Sequence, residues 1–293
     1  RGRRDHHHQR RGLTRRSPGR AVGEASPARV DAGAGRAGPV PCPSMTAVLV
    51  HGNPETAAVW DPLCNELKRR DVVAVSLPGF GVGTPNGWTA TKEAYAEWLE
   101  TELESVGEPV DLVGHDWGGG FVLRVASMRP DLVRSWVSDV AGFLSPNFEW
   151  HDLAKVWRTP GEGEKSVADM AEMPSELLAQ AYQGMGISEP AALEFAEALD
   201  EEMGRCILAL YRSADPADVA AWAGGEGGLT TRPGLVVAAA DDPYTGGTGP
   251  AERQAEALGA SCTVLDGLGH WWMQQDPARG ARMLEAFWAS ANG

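Results

Sequence analysis

The chain has 293 residues, 43% of them hydrophobic, which is enough to bury the core of one α/β domain with an insertion or of two small domains. Its formal charge of −14 divides unevenly: residues 1–44 carry ten Arg and three acids (+7), whereas residues 45–293 carry 16 basic and 37 acidic residues (−21). So acidic a body argues against nucleic acid and anionic membrane as partners, and no stretch approaches the ~18 apolar residues of a spanning helix.

Residues 1–44 are rich in Arg, Gly, Ala and Pro and have no apolar period, so they are expected to form a disordered tail. An Arg-rich start with no hydrophobic stretch behind it does not make a secretory signal. Natural translation is expected to begin at Met45, and the location is expected to be cytoplasmic. The run His6-His7-His8 lies in this tail and does not amount to a metal site. Cys42, Cys64, Cys206 and Cys262 are scattered without a CxxC or zinc spacing, so they read as free thiols, with Cys206 and Cys262 packed in the core. No metal or cofactor is expected.

From Met45 onward, apolar residues alternate between short runs and helical spacing. Residues 47–50 form a buried strand that ends at His51-Gly-Asn-Pro54, and 59–70 a helix with Val59, Trp60, Leu63 and Leu67 on one face. A second strand, 72–76, closes at Leu77-Pro-Gly-Phe-Gly81. The helix 91–106 turns Tyr95, Trp98, Leu99, Leu103 and Val106 inward. Strand 110–114 leads through glycines into a helix ending near Met128, and 136–140 is the next strand. Residues 142–228 break the alternation with amphipathic helical stretches at 175–183, 190–199 and 201–213, and Gly224-Gly-Glu-Gly-Gly228 ends the segment. Strands at 235–239 and 262–265 then alternate with helices near 250–258 and 278–289. Repeated βα units with short apolar strands imply a parallel sheet covered on both faces, and the long helical insertion implies a lid. The expected organisation is a core of residues 45–141 and 229–293 with a helical cap at 142–228.

The turn Gly114-His115-Asp116-Trp117-Gly118 is a nucleophile elbow with a carboxylate at its tip. A strand-to-helix turn of this kind needs glycines where backbone segments pack closely, and it sets the tip at a helix N-terminus, where an anion is favoured. A carboxylate there is charged at neutral pH and needs no base to attack a saturated carbon. The rival role for Asp116 is a plain helix cap.

Strand–HGxP–helix, strand–GxDxG–helix, a lid, then an acid and a histidine after successive strands: this order resembles the α/β-hydrolase superfamily over residues 45–290. Within it, the pair His51-Gly-Asn-Pro54 and Gly114-His-Asp-Trp-Gly118 resembles the aspartate-nucleophile branch, the epoxide hydrolases and haloalkane dehalogenases. The resemblance implies that Asp116 is the nucleophile and that His270, in Gly267-Leu-Gly-His-Trp-Trp272, is the base. It implies Asp242 as the orienting acid, with Asp241 and Asp139 as alternatives, and an oxyanion hole made by the N–H groups of Trp117 and Asn53. His51 and His115 belong to turn motifs and read as backbone supports, while His151 falls in the lid. The resemblance also implies a six-stranded parallel sheet in the family order 4-3-5-6-7-8, without the two strands that normally come first. Its bare edge is an expected site for a homodimer contact.

The electrophile divides the two branches. Dehalogenases grip the departing halide with two N–H donors, and Trp117 with the Asn53 amide matches that pair. Epoxide hydrolases protonate the opening ring oxygen from lid tyrosines, and Leu208-Ala-Leu-Tyr-Arg-Ser213 resembles their tyrosine segment, which points to Tyr211; its rival role is lid packing beside Ile207 and Leu208. Trp117, Trp271 and Trp150 are candidates to line an apolar pocket. The expected function is hydrolysis of small apolar electrophiles by water, epoxides ahead of haloalkanes. An esterase-like acyl hydrolase or an inactive binding module are further alternatives.

Overall fold

The computed structural model describes residues 46–145, 148–224 and 230–291. The six strands are β1 (Ala47–Val50), β2 (Val72–Val75), β3 (Val110–Gly114), β4 (Val133–Ser138), β5 (Gly234–Ala239) and β6 (Ser261–Leu265). All neighbours pair in parallel, in the order β2-β1-β3-β4-β5-β6, which is the expected order. Every residue of β1, β3 and β5 is buried, as short valine- and leucine-rich strands must be when helices cover both faces. The outer strands β2 and β6 are only partly covered; Val73 on β2 is 49% exposed.

Helices α1 (Asp61–Glu66), α2 (Lys92–Val106) and α3 (Trp117–Met128) come before β4. Thr91 accepts the Ala94 N–H to start α2, and Gly107 at φ 80° closes it. The expected helix at 59–70 is shorter in the structure. Residues Ala57–Trp60 form a 3-10 turn capped by Thr56, and the chain leaves helical geometry at Leu67. There the Lys68 N–H goes to the Glu285 carboxylate at 2.7 Å instead of continuing the helical ladder. β4 also begins earlier than expected and ends before Asp139, because the Ser138 hydroxyl takes the Val140 N–H and turns the chain out of the sheet.

Between β4 and β5 run α4 (Asp152–Arg158), α5 (Glu162–Ala171), α6 (Ser175–Gly184), α7 (Glu189–Ala198), α8 (Glu201–Arg212) and α9 (Pro216–Gly224). The expected stretches correspond to α6, α7 and α8. The structure adds α4, α5 and α9; of these α4 and α9, at seven and nine residues, are too short for a clear period. Gly224 ends α9, and the rest of the expected glycine-rich closure lies outside the described residues. After β5 come α10 (Thr248–Leu258), α11 (Trp272–Gln275) and α12 (Pro277–Ala291). Cys206 is buried as expected, but Cys262 is exposed, on the outer strand β6, which is only partly covered. Among the described residues, no helix is long and apolar enough to cross a membrane.

The β3–α3 turn fixes the most demanding geometry of the core. A Cβ added at Gly118 would lie 2.2 Å from the Val50 carbonyl oxygen and 2.5 Å from that of His51. Both obstacles are backbone of β1 and its exit, so neither can swing aside. Gly118→Ala is therefore expected to lower unfolding stability by about 2–4 kcal/mol, read as a drop in urea midpoint at unchanged m-value.

Candidate active site

Asp116 is the second of the two residues between β3 and α3, at φ 50° and ψ −127°, a backbone conformation a non-glycine residue rarely adopts. Its side chain makes no cap bond to the helix, so the carboxylate is free for another use. Oδ1 accepts the Asn53 N–H at 2.9 Å, and Oδ2 lies 3.8 Å from His270 Nε2. Gly52 allows this approach: a Cβ there would sit 2.4 Å from both Asp116 Cβ and Oδ1.

His270, in the loop after β6, is buried, with Nδ1 2.8 Å from Asp242 Oδ2. The Asp242 carboxylate accepts that N–H, which leaves the Nε2 lone pair toward Asp116. Burial pushes the Asp242 carboxyl up, but the His270 bond and charge and the Tyr244 N–H, which Oδ1 accepts at 2.7 Å, together hold it below the usual range. Burial and the neighbouring His115 pull His270 down. The bond to Asp242 and the charges of Asp242 and Asp116 outweigh them, so its imidazole stands above its ordinary value.

The three candidate acids have different environments. Asp242 reaches His270, Asp241 is exposed, and Asp139 binds elsewhere: its Oδ1 accepts the Asp116 N–H at 3.0 Å, and its Oδ2 lies 2.6 Å from His115 Nδ1. His51 supports backbone as expected, its Nε2 accepting the Leu77 N–H. His115 does not. It lies fully buried between two carboxylates, with Glu55 Oε1 3.7 Å from its other nitrogen, because the turn points its ring into the molecule against His270.

A cavity of about 140 Å³ opens over Asp116. Its polar wall is Asn53, Asp116, His151, Tyr182, Tyr211, Tyr244 and His270, and most of the remainder is apolar, from Leu153, Met170, Leu178 and Met185. Three donors meet beside the carboxylate. Asn53 Nδ2 and Trp117 Nε1 are buried and close no hydrogen bond, and the Tyr211 hydroxyl faces both. The Tyr211 ring stands edge-on to Trp117 at 5.5 Å. Burial and the Asp116 charge push its phenol well above 10, against the pull of the Asn53 and Trp117 donors. Of the tryptophans, Trp271 lines the cavity, and Trp150 packs against Trp117 at 5.5 Å.

Sequence reasoning missed three site residues. His151 Nδ1 accepts the Ala154 N–H at the start of α4, so the proton of the neutral ring is on Nε2. Tyr244 stacks edge-on between His151 and His270, at 5.1 and 5.0 Å. Glu55 accepts the Gly52 N–H at 2.6 Å and the Trp271 indole N–H at 2.8 Å. Glu55 directly follows the HGNP turn and Tyr244 lies two residues past Asp242, so adjacency to a motif was the signal available.

The six-stranded parallel sheet agrees with comparison to known proteins. The alpha/beta hydrolase family model matches residues 47–283. The chain belongs to the α/β hydrolase family. Lipase LipV of Mycobacterium tuberculosis (strain ATCC 25618 / H37Rv) is 32% identical to this α/β hydrolase over 93 residues, 31% of this chain and 34% of that one. A haloalkane dehalogenase of Agrobacterium fabrum (strain C58 / ATCC 33970) is 29% identical over 142 residues, 44% of this chain and 45% of that one. The chain thus spans less than half the length of these two relatives. A solved structure from Pseudomonas aeruginosa, described as a candidate epoxide hydrolase, superposes with a TM-score of 0.70 at 22% identity, over 85% of this chain and 90% of that one.

Two buried histidines give the α/β hydrolase opposite responses to pH. Burial lowers the His51 imidazole to about 4, so the unfolded chain, near 6.5, binds its proton first, and the stability His51 supports is lost as pH falls from 6.5 toward 4. Burial lowers His115 too, but Asp139 and Glu55 prevail and raise it to about 10; its stability is full below 6.5 and is lost as pH rises toward 10. Melting temperature is expected to decline on both sides of about pH 6.5, with His51→Gln flattening the acid side and His115→Gln the alkaline side.

Proposed function

We propose that this α/β hydrolase opens small apolar epoxides through an ester of Asp116. The observation that carries the reading is the Tyr211 hydroxyl, buried beside the Asp116 carboxylate and holding its proton far above neutral pH. A strained ring oxygen needs a proton as it leaves carbon, and a phenol in that position supplies one.

Asp116 Oδ2 attacks the ring carbon, since Oδ1 is engaged by the Asn53 N–H. The carbon–oxygen bond breaks and the ring oxygen takes the Tyr211 proton. The resulting phenolate faces the Asn53 amide and the Trp117 indole N–H, the two donors that have no other partner. His270, oriented by Asp242, then takes a proton from water, and the hydroxide adds to the Asp116 carboxyl carbon. The oxyanion forms on Oδ1, where the Asn53 N–H already points. Collapse expels the diol oxygen, which takes the proton of the newly added hydroxyl, and the His270 proton returns to Tyr211 through water.

A second reading, halide release from a haloalkane, is favoured by one observation: Asn53 Nδ2 and Trp117 Nε1 form a pair of buried, unengaged donors. A halide leaves without a proton and would use that pair alone. An acyl hydrolase would carry a hydroxyl or thiol at the elbow, where this chain has Asp116.

Single turnover with excess enzyme in ¹⁸O-water is expected to label Asp116 and to leave the product unlabelled; an unlabelled Asp116 removes the ester route. With terminal epoxides and bromoalkanes compared side by side, Tyr211→Phe should slow epoxide opening by about 100-fold or more. Loss confined to bromoalkanes in Asn53→Ala would establish the halide reading instead.

A further inference from the structure

Hydrolysis of an Asp116 ester needs an oxyanion donor and a base, and these stand at the exits of two separate strands. The Asn53 N–H follows β1 and His270 follows β6, with β3, β4 and β5 between them in the sheet. No ladder bond of the sheet therefore fixes one exit against the other.

Glu55 joins them. It is 2% exposed, and its two carboxylate oxygens are divided between the exits. Oε1 accepts the Gly52 N–H at 2.6 Å, which closes the turn on itself and leaves the next N–H, that of Asn53, aimed at Asp116 Oδ1 at 2.9 Å. Oε2 accepts the indole N–H of Trp271, the residue after His270, at 2.8 Å. A carboxylate offers an acceptor to each donor. An amide side chain offers one acceptor and sets its NH₂ against the second N–H. The residues on either side of Glu55 are tied elsewhere: the Pro54 carbonyl oxygen accepts the Tyr182 hydroxyl of α6 at 3.4 Å, and the Thr56 hydroxyl donates to Glu194 of α7 at 2.6 Å.

We propose that Glu55 is the positioning residue of the second half-reaction, holding the Asn53 N–H at the place where the oxyanion forms by tying its turn to the loop of the base. The role rests on the ester route proposed above. The charge on Oδ1 makes the effect selective for one step. Attack on the ring carbon discharges the carboxylate, so the Asn53 bond weakens during ester formation and a displaced donor matters little. Addition of hydroxide puts a full charge back on Oδ1, and the donor then acts at its strongest. A displacement of about 1 Å at that moment costs on the order of 100-fold in rate. The packing of the two segments does not depend on Glu55, because Gln274 Nε2 donates to the Ala58 and Val59 carbonyl oxygens at 3.2 and 2.8 Å.

Rapid-quench kinetics of ester formation and hydrolysis, with the Asn53 amide NMR signal of the substrate-free protein, test this role. Glu55→Gln is expected to slow ester hydrolysis by about 30- to 100-fold and ester formation by no more than about fivefold, so that the ester accumulates on Asp116. Trp271→Phe cuts the same tie from its other end and leaves the Glu55 charge, 3.7 Å from His115, in place. It should slow hydrolysis to a similar extent, and the double variant should fall no more than about threefold below the slower single one. Equal slowing of both steps in Glu55→Gln, or losses that multiply in the double variant, belong to a purely structural role and overturn the proposal. Without substrate, both single variants should shift the Asn53 amide signal, and an unmoved signal overturns it. Should neither epoxides nor bromoalkanes form an ester in the wild type, the proposed reaction fails, whereas the Asn53 signal still decides whether Glu55 sets the donor. Should Glu55→Gln not fold, Trp271→Phe decides both readouts.

Discussion

The Asp139 carboxylate, just past the end of β4, takes the Asp116 backbone N–H with one oxygen, and His115 and the Trp272 indole with the other. These bonds join the tip of the elbow, the chain leaving β4 and the start of α11, three segments that are remote in sequence. The elbow backbone at φ 50° is unfavourable by itself and persists because its surroundings over-determine it. Asp139 and the glycines at 52 and 118 are those surroundings. Asp116 follows β3, Asp242 follows β5 and His270 follows β6, so the site stands at the carboxyl ends of the parallel strands, where open α/β sheets gather their ligands.

So many buried acids would normally be costly. Here each has an assigned partner. Asp242 is tied to His270 and the Tyr244 N–H, Asp139 to three donors, Glu55 to two, and Asp116 to the Asn53 N–H. Among the groups that close no hydrogen bond are two donors on the other side of the carboxylate, Asn53 Nδ2 and Trp117 Nε1. Buried donors left open beside a nucleophile are what a site needs when it must receive negative charge only during reaction.

The strands, their order and the Asp116, Asp242 and His270 set were legible in the sequence, because short apolar runs and glycine-bounded turns report local backbone demands. Asp242 was separable from Asp241 only by spacing, and the structure separates them by burial and by the bond to His270. Asp139 was visible as an acid but not as the clamp of the elbow, and His115 looked like a turn residue. Their pairing joins positions that no periodicity connects. Short helices such as α4, with His151 capping its own first turn, likewise carry too few residues to show a period.

The excursion between β4 and β5 supplies His151 and Tyr211, whereas the sheet supplies Asp116, Asp242 and His270. The proposed proton donor and the proposed nucleophile therefore belong to separately encoded parts of the chain, meeting at the contact of the Tyr211 ring with Trp117. Mutational drift can reshape the excursion, and with it the range of molecules admitted, without moving Asp116, Asp242 and His270 on the sheet. For a designer, that seam is the natural place to exchange one cap for another.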